Sequence, residues 1–147
     1  MKKFLLAASL GVVLATMTGQ ALAVCSGGGR VNTVTALTTL LQGNTVCVPA
    51  VTVPTMTWQE LHSGTSGGAN NLIDFKRGPG HAVDPSGPVG SWTISGNSGG
   101  NAAVVNHNYG TGGSFTYQVF NNGDGTHSFC SAAPEIVARV TPGGGGC

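Results

Sequence analysis

Charge is scarce in this sequence. Only 7% of its 147 residues are Asp, Glu, Lys or Arg, against about 25% in an ordinary soluble domain. Six Lys+Arg against five Asp+Glu leave a formal net charge of +1. Such a chain has no basic patch with which to follow a phosphate backbone, so nucleic acid is excluded as a partner on electrostatic grounds. Intrinsic disorder is disfavoured as well, because it needs high charge with low hydrophobicity and 40% of these residues are hydrophobic. Groups for reaction chemistry are few. Gly96-Asn97-Ser98-Gly99-Gly100 has the letters of G-x-S-x-G, but it joins two expected strands where a nucleophile elbow joins a strand to a helix, so it is not read as one. The glycine runs at Gly27-Gly28-Gly29 and Ser66-Gly67-Gly68 do not follow a strand and open a helix, as a phosphate loop must. Glu60 and Asp74 can face each other across neighbouring strands, where a surface pairing is expected before a hydrolytic one. No C-x-x-C is present, which argues against a zinc ribbon and a thioredoxin-type site. Glycine is abundant, at 25 residues, but without a collagen period. The length fits one domain.

At the N-terminus, Lys2 and Lys3 precede an apolar run from Phe4 to Ala15, and a short polar stretch leads to Ala21-Leu22-Ala23. A charged segment, an apolar segment and an A-x-A site in that order predict a secretory signal over 1–23. Thr16, Thr18 and Gln20 interrupt the apolar run before the ~20 residues that a membrane span requires. Lipidation of Cys25 is a variant of this reading, although Val24 is a poor residue to precede a lipidated cysteine. The double lysine and short alanine-rich segment have a bacterial character. The expected organisation is a signal over 1–23 and one disulfide-stabilised β domain over 24–147, secreted or periplasmic. Beyond the signal, Arg30, Lys76, Arg77 and Arg139 stand against the five acids. A chain this near neutrality has little charge to oppose self-association.

Cys25, Cys47, Cys130 and Cys147 all lie in the exported part, which predicts two disulfides. Three connectivities are open. Cys25–Cys47 with Cys130–Cys147 is favoured, because a strand turning back at Gly43 carries Cys47 toward the start of the helix while the glycine tail returns Cys147 to Cys130. Cys25–Cys147 with Cys47–Cys130 is the competitor.

The local signals predict one helix followed by strands. Val34, Leu37, Leu40 and Leu41 recur on one helix face over about 33–42, with Asn32 as N-cap and Gly43 as the stop. Without charged residues this helix must lie on something apolar. Eight segments follow, each bounded by Gly, Pro, Asn or Ser: 45–51, 55–62, 71–77, 89–95, 102–109, 114–120, 126–130 and 135–141. Asn121-Asn122-Gly123-Asp124-Gly125 and Gly110-Thr111-Gly112-Gly113 are hairpin signals. Short sequential strands predict an antiparallel meander curled or closed into a small barrel, which also protects edges that carry few charges. The proline-containing stretch 78–88 is expected to be a lid or a stiff surface crossing.

Leu40-Leu41-Gln42-Gly43-Asn44-Thr45-Val46 and, later, Gly90-Ser91-Trp92 resemble small exported bacterial proteins of lipocalin-like, calycin-type kind. In lipocalins and avidins a Gly-x-Trp opens a barrel strand and the tryptophan plugs one end. Here the Gly-x-Trp stands on the fourth expected strand instead of the first. The resemblance implies a barrel, and it carries no binding site with it.

Alternation places Trp58, Glu60 and His62 on one strand face, Ala103, Val105, His107 and Tyr109 on another, Phe115, Tyr117 and Val119 on a third, and His127 with Phe129 on a fourth. If the apolar members face inward, Trp58, His62, Trp92, His107, Tyr109, Tyr117 and His127 line a lumen. That composition suits a small apolar ligand, or a core filled by its own side chains. Three histidines could also hold a metal, but no spacing demands that they converge, and neither metal nor cofactor is expected. Trp92 is expected to be buried, with Gly90 admitting a neighbouring backbone. The functional expectation is a non-catalytic exported protein, first as a structural or self-associating envelope or extracellular component. The alternative is a periplasmic module binding a small ligand, and an enzyme inhibitor or small hydrolase comes third.

Overall fold

A computed structural model describes Cys25 and residues 29–49, 58–75, 86–132 and 135–147. The expected signal, the outer ends of the first three expected strands, Lys76-Arg77 and most of the 78–88 stretch lie outside the described residues.

Helix α1 (Val34–Leu41) begins one residue later than Asn32 would make it. Thr33 is the N-cap: its backbone is extended and its side chain accepts from the Ala36 N–H at 3.1 Å. Both residues are good caps, and the helix starts where the Val34 N–H is taken by the Gly100 carbonyl. At the other end Gly43 adopts φ +75°, a left-handed conformation that glycine takes without strain. Its N–H donates to the His62 carbonyl, and the Asn44 side chain donates to the Leu40 carbonyl.

Eight strands follow: β1 (Thr45–Val48), β2 (Trp58–His62), β3 (Leu72–Asp74), β4 (Gly87–Ser95), β5 (Val104–Asn108), β6 (Ser114–Asn121), β7 (His127–Cys130) and β8 (Ile136–Thr141). Each pairs antiparallel with the next, and β8 returns to β1 to close the barrel. Cross-strand register fixes which side chains share the inner face. Val46 stands opposite both Glu60 and Val140, Val105 opposite Ile94 and Tyr117, and Val119 opposite Phe129. Leu37 and Leu41 bring the helix onto this face, in one core with Val46, Ala103, Val105, Tyr117, Val119, Phe129 and Ala138. That is the apolar support the uncharged helix needs.

The short β3 leaves part of β4 to be covered by the connection between β2 and β3. The Trp92 N–H donates to Asn71 Oδ1, the Ile94 N–H to Ser66 Oγ, and the Gly67 N–H to the Trp92 carbonyl. Gly90 is a true close approach, since a Cβ there would lie 2.2 Å from the Asn108 carbonyl oxygen.

The disulfides are Cys25–Cys130 and Cys47–Cys147, so both expected pairings are overturned in favour of the third. Two features of the barrel explain it. The leading segment pairs with β6 and not with β1: Arg30 bridges Phe120, and the Val31 N–H donates to the Val119 carbonyl. Cys25 is thereby delivered beside β7. Cys47 is on the outer face, opposite Gln59 and Arg139, whereas the helix packs through Leu37 and Leu41 on the inner-face core. The C-terminal tail folds back over that face, where the Cys147 N–H donates to Gln59 Oε1 at 2.6 Å.

Candidate functional site

One side of the barrel interior is polar. Alternation turns Glu60 and His62 inward from β2, and pairing with β4 sets His107 of β5 opposite Trp92. Across the interior, His62 Nε2 and His107 Nε2 are 2.9 Å apart, a hydrogen bond between imidazoles. His107 Nδ1 lies 3.4 Å from the Tyr109 hydroxyl and 3.8 Å from Glu60 Oε2. The Tyr109 hydroxyl is 2.8 and 2.9 Å from the two carboxyl oxygens of Glu60 and donates to that carboxylate. Four side chains thus form a continuous chain, Glu60–Tyr109–His107–His62, which leaves β2 at Glu60, passes through the residue just beyond β5 and through β5, and returns to the last residue of β2. Aromatic rings enclose it. Trp92 meets His62 edge-on at a centroid distance of 5.3 Å, and Tyr117 meets His107 at 5.5 Å. The Trp92 indole N–H donates to the Ser63 carbonyl.

Burial dominates the electrostatics. His62 is fully enclosed, and His107 and Glu60 are 2% and 7% exposed. Desolvation penalises every charged form. It pushes Glu60 up to about 7, with Asp74 adding to the rise and the Tyr109 hydrogen bond opposing it. It pushes His107 down to about 4. His62 is held well below the usual histidine range by burial and then by its neighbour His107, with the Glu60 backbone carbonyl opposing. Burial, followed by the nearby Glu60, raises the Tyr109 phenol out of the physiological range. At neutral pH both imidazoles are therefore neutral and the carboxyl stands close to its midpoint.

Of the seven residues expected to line a lumen, His62, Trp92, His107, Tyr109 and Tyr117 are brought together. Trp58 is half-buried and packs against the apolar core. His127 is elsewhere, which overturns the picture of three convergent histidines. It is the first residue of β7 and lines a groove beside α1 with Val31, Ala36, Leu40 and Val140. Its buried Nδ1 has no hydrogen-bond partner, and burial lowers its pKa against the opposing pull of Asp124. Among the described residues, Cys25, Cys130 and Glu135 are the one group of three His, Cys, Asp or Glu side chains close enough to hold a metal, and its two sulfurs are already joined as a disulfide. Glu60 was expected to pair with Asp74 at the surface. The two do stand in register, but Glu60 is buried because its strand face is the inner one. Its sharing of a face with Trp58 and His62 was the available signal.

The space between His62, Trp92 and His107 is filled by these side chains, as their near-complete burial requires. A cleft of about 350 Å³ instead lies at the rim beside Tyr109, lined also by Asn70, Val89, Ser91, Asn108 and Gly110. Tyr109 therefore faces the cleft and reaches the interior with its hydroxyl.

Comparison with protein-family models, curated proteins and solved structures finds no match. The closed eight-stranded antiparallel barrel is compatible with the lipocalin-like resemblance at the level of architecture.

Proposed function

We propose that this protein is an exported, non-catalytic barrel of lipocalin-like kind that binds a small polar ligand in the cleft beside Tyr109. The observation that carries the reading is the division of the interior. One side is packed by Leu, Val, Ala and Phe, and the other buries two histidines and a glutamate. A barrel serving only as a scaffold gains nothing from the second side, because burying ionisable groups costs stability that apolar packing would supply. Asparagine and serine side chains with exposed backbone at the rim supply donors and acceptors for a polar ligand. Tyr109 connects that ligand to the buried chain. Native mass spectrometry of protein purified from its own host tests this. A retained mass lost in Tyr109→Phe supports it, and an unliganded chain whose Tyr109 resonances do not respond to the host's small-molecule extract overturns it.

A structural, self-associating role is the second reading. It is favoured by two disulfides of sequence separation 105 and 100 that tie both ends of the chain to the outside of the barrel. Size-exclusion chromatography separates the two, since assembly gives high-mass species and a binding barrel gives a monomer or dimer.

A further inference from the structure

We propose that Glu60, Tyr109, His107 and His62 form a two-state proton wire, in which uptake of one proton reverses every hydrogen bond in the chain and exchanges the tautomers of both histidines. This inference goes beyond ligand binding and does not depend on it.

The argument is one of donor and acceptor counting. A neutral imidazole donates from one nitrogen and accepts at the other, so each histidine in the chain must pass direction along. With Glu60 ionised, the carboxylate accepts only, and it takes the Tyr109 hydrogen at 2.8–2.9 Å. The Tyr109 oxygen is then free to accept from His107 Nδ1–H. His107 Nε2 must in turn accept, and His62 donates from Nε2 across 2.9 Å. His62 Nδ1, buried without a hydrogen-bond partner, is left with a lone pair. With Glu60 protonated the order inverts. Glu60 donates to Tyr109, Tyr109 to His107 Nδ1, and His107 Nε2 to His62 Nε2, while His62 carries its hydrogen on Nδ1. The Glu60 backbone carbonyl favours a proton on the His62 ring. Three shared hydrogens change owner and one proton is gained. No other species takes part.

Neighbouring groups leave the switch to Glu60. From β3 the acidic Asp74 stands opposite it, and from β6 Tyr117 faces it and His107. Val46 of β1 and Trp92 of β4 are the uncharged neighbours, and α1 contains no titratable side chain. Both imidazoles resist becoming imidazolium because they are buried. An added proton is therefore accommodated at the carboxyl, with the chain reversing to meet it. The far end of the wire lies beside the helix stop, because the His62 carbonyl holds the Gly43 N–H.

The test is a pH titration of the full, disulfide-bonded chain, labelled with ¹⁵N and ¹³C, between pH 5 and 9. Long-range ¹H–¹⁵N spectra report each histidine's tautomer, and the Glu60 side-chain carbonyl shift reports its protonation. At high pH, His62 is expected as the Nε2–H form and His107 as the Nδ1–H form. Both should exchange to the opposite form at one shared midpoint with Glu60. Tautomers that stay fixed while Glu60 titrates, or a ring that becomes imidazolium in that range, overturn the wire. In Glu60→Gln the exchange should vanish, and an exchange that persists there also overturns it. Should that variant not fold, the wild-type titration decides alone.

Discussion

At the scale of single residues, the informative groups are those that burial has moved off their ordinary titration. Glu60 has a folded-state pKa of about 7, above its ordinary 4.5. Its contribution to stability is thus complete below pH 4.5 and is lost as pH rises through 7. His107, held near 4 against an ordinary 6.5, contributes the opposite way: its stabilisation is complete above 6.5 and is lost as pH falls through 4. The two slopes oppose each other over roughly pH 4.5–6.5, so wild-type stability alone does not expose Glu60. The difference between Glu60→Gln and wild type does. The variant is expected to gain on wild type by about 3 kcal/mol as pH rises from 4.5 to beyond 7. Urea unfolding at pH 5 and pH 8 measures this, and a pH-independent difference would count against a raised Glu60. Trp92 is the second test. It is fully buried and holds the Ser63 carbonyl, so Trp92→Ala should cost about 3–5 kcal/mol. An unchanged melting temperature would refute that role. Much of this site was legible in the sequence, because a period of two assigns faces without knowing the fold. Tyr109, His107, His62 and Tyr117 were selected in that way, and Trp92 by the glycine two residues before it. The burial of Glu60 was legible only through the face it shares with Trp58 and His62, which does not by itself say whether that face is wet. His127 was misplaced for a related reason. Alternation gives a face but not the position around a closed barrel at which that face looks inward.

At the scale of elements, the helix and all eight strands follow from turn residues and alternation, and the discrepancies lie at their ends. Both Asn32 and Thr33 can cap a helix, and pairing of the Val34 N–H with the Gly100 carbonyl decides between them. Thr33→Ala removes the side-chain acceptor of the Ala36 N–H and should cost about 1 kcal/mol. Asn32→Ala should cost clearly less, and equal costs in thermal unfolding would argue against Thr33 as the cap. The contact between β4 and β5 is less forgiving. At Gly90 a methyl group would meet the Asn108 carbonyl oxygen at 2.2 Å and the backbone behind it, so the strands must part. Gly90→Ala is expected at the upper end of the about 1–3 kcal/mol range for overpacking. At Gly145, where a Cβ meets nothing within 4 Å of the described residues, the same change should be close to neutral. Gly90-Ser91-Trp92 was readable as a tight approach followed by a core anchor, and both halves of that reading hold in the structure.

At the scale of the whole molecule, closure is the property that local pattern could not supply in detail, and the disulfides show why. Pairing Cys25 with Cys47 assumed that the leading segment lies beside the strand nearest to it in sequence. A closed barrel breaks that assumption, because β8 pairs with β1 and the chain ends can run along distant strands. The leading segment adds to β6, and the tail covers Gln59 and Leu61. The leading segment at Cys25 and the tail at Cys147 are then each tied to a strand about 100 residues away, with separations of 105 and 100. Loops of that length lose much conformational freedom when closed in the unfolded chain, and the chain-entropy estimate is about 4–5 kcal/mol for each bridge. Peptide mapping under non-reducing conditions should recover Cys25–Cys130 and Cys47–Cys147, and either alternative pairing would contradict this topology. The two bridges also make different contacts. Cys47 is fully buried under the tail, whereas Cys25 is half-buried at an open groove shared with Val104, Gln118 and Ser131. A mild reductant should therefore open Cys25–Cys130 first, leaving the barrel closed by β1–β8 pairing and the second bridge. Alkylation followed by mass mapping at increasing reductant gives the order, and prior loss of Cys47–Cys147 would show that the tail does not shield it.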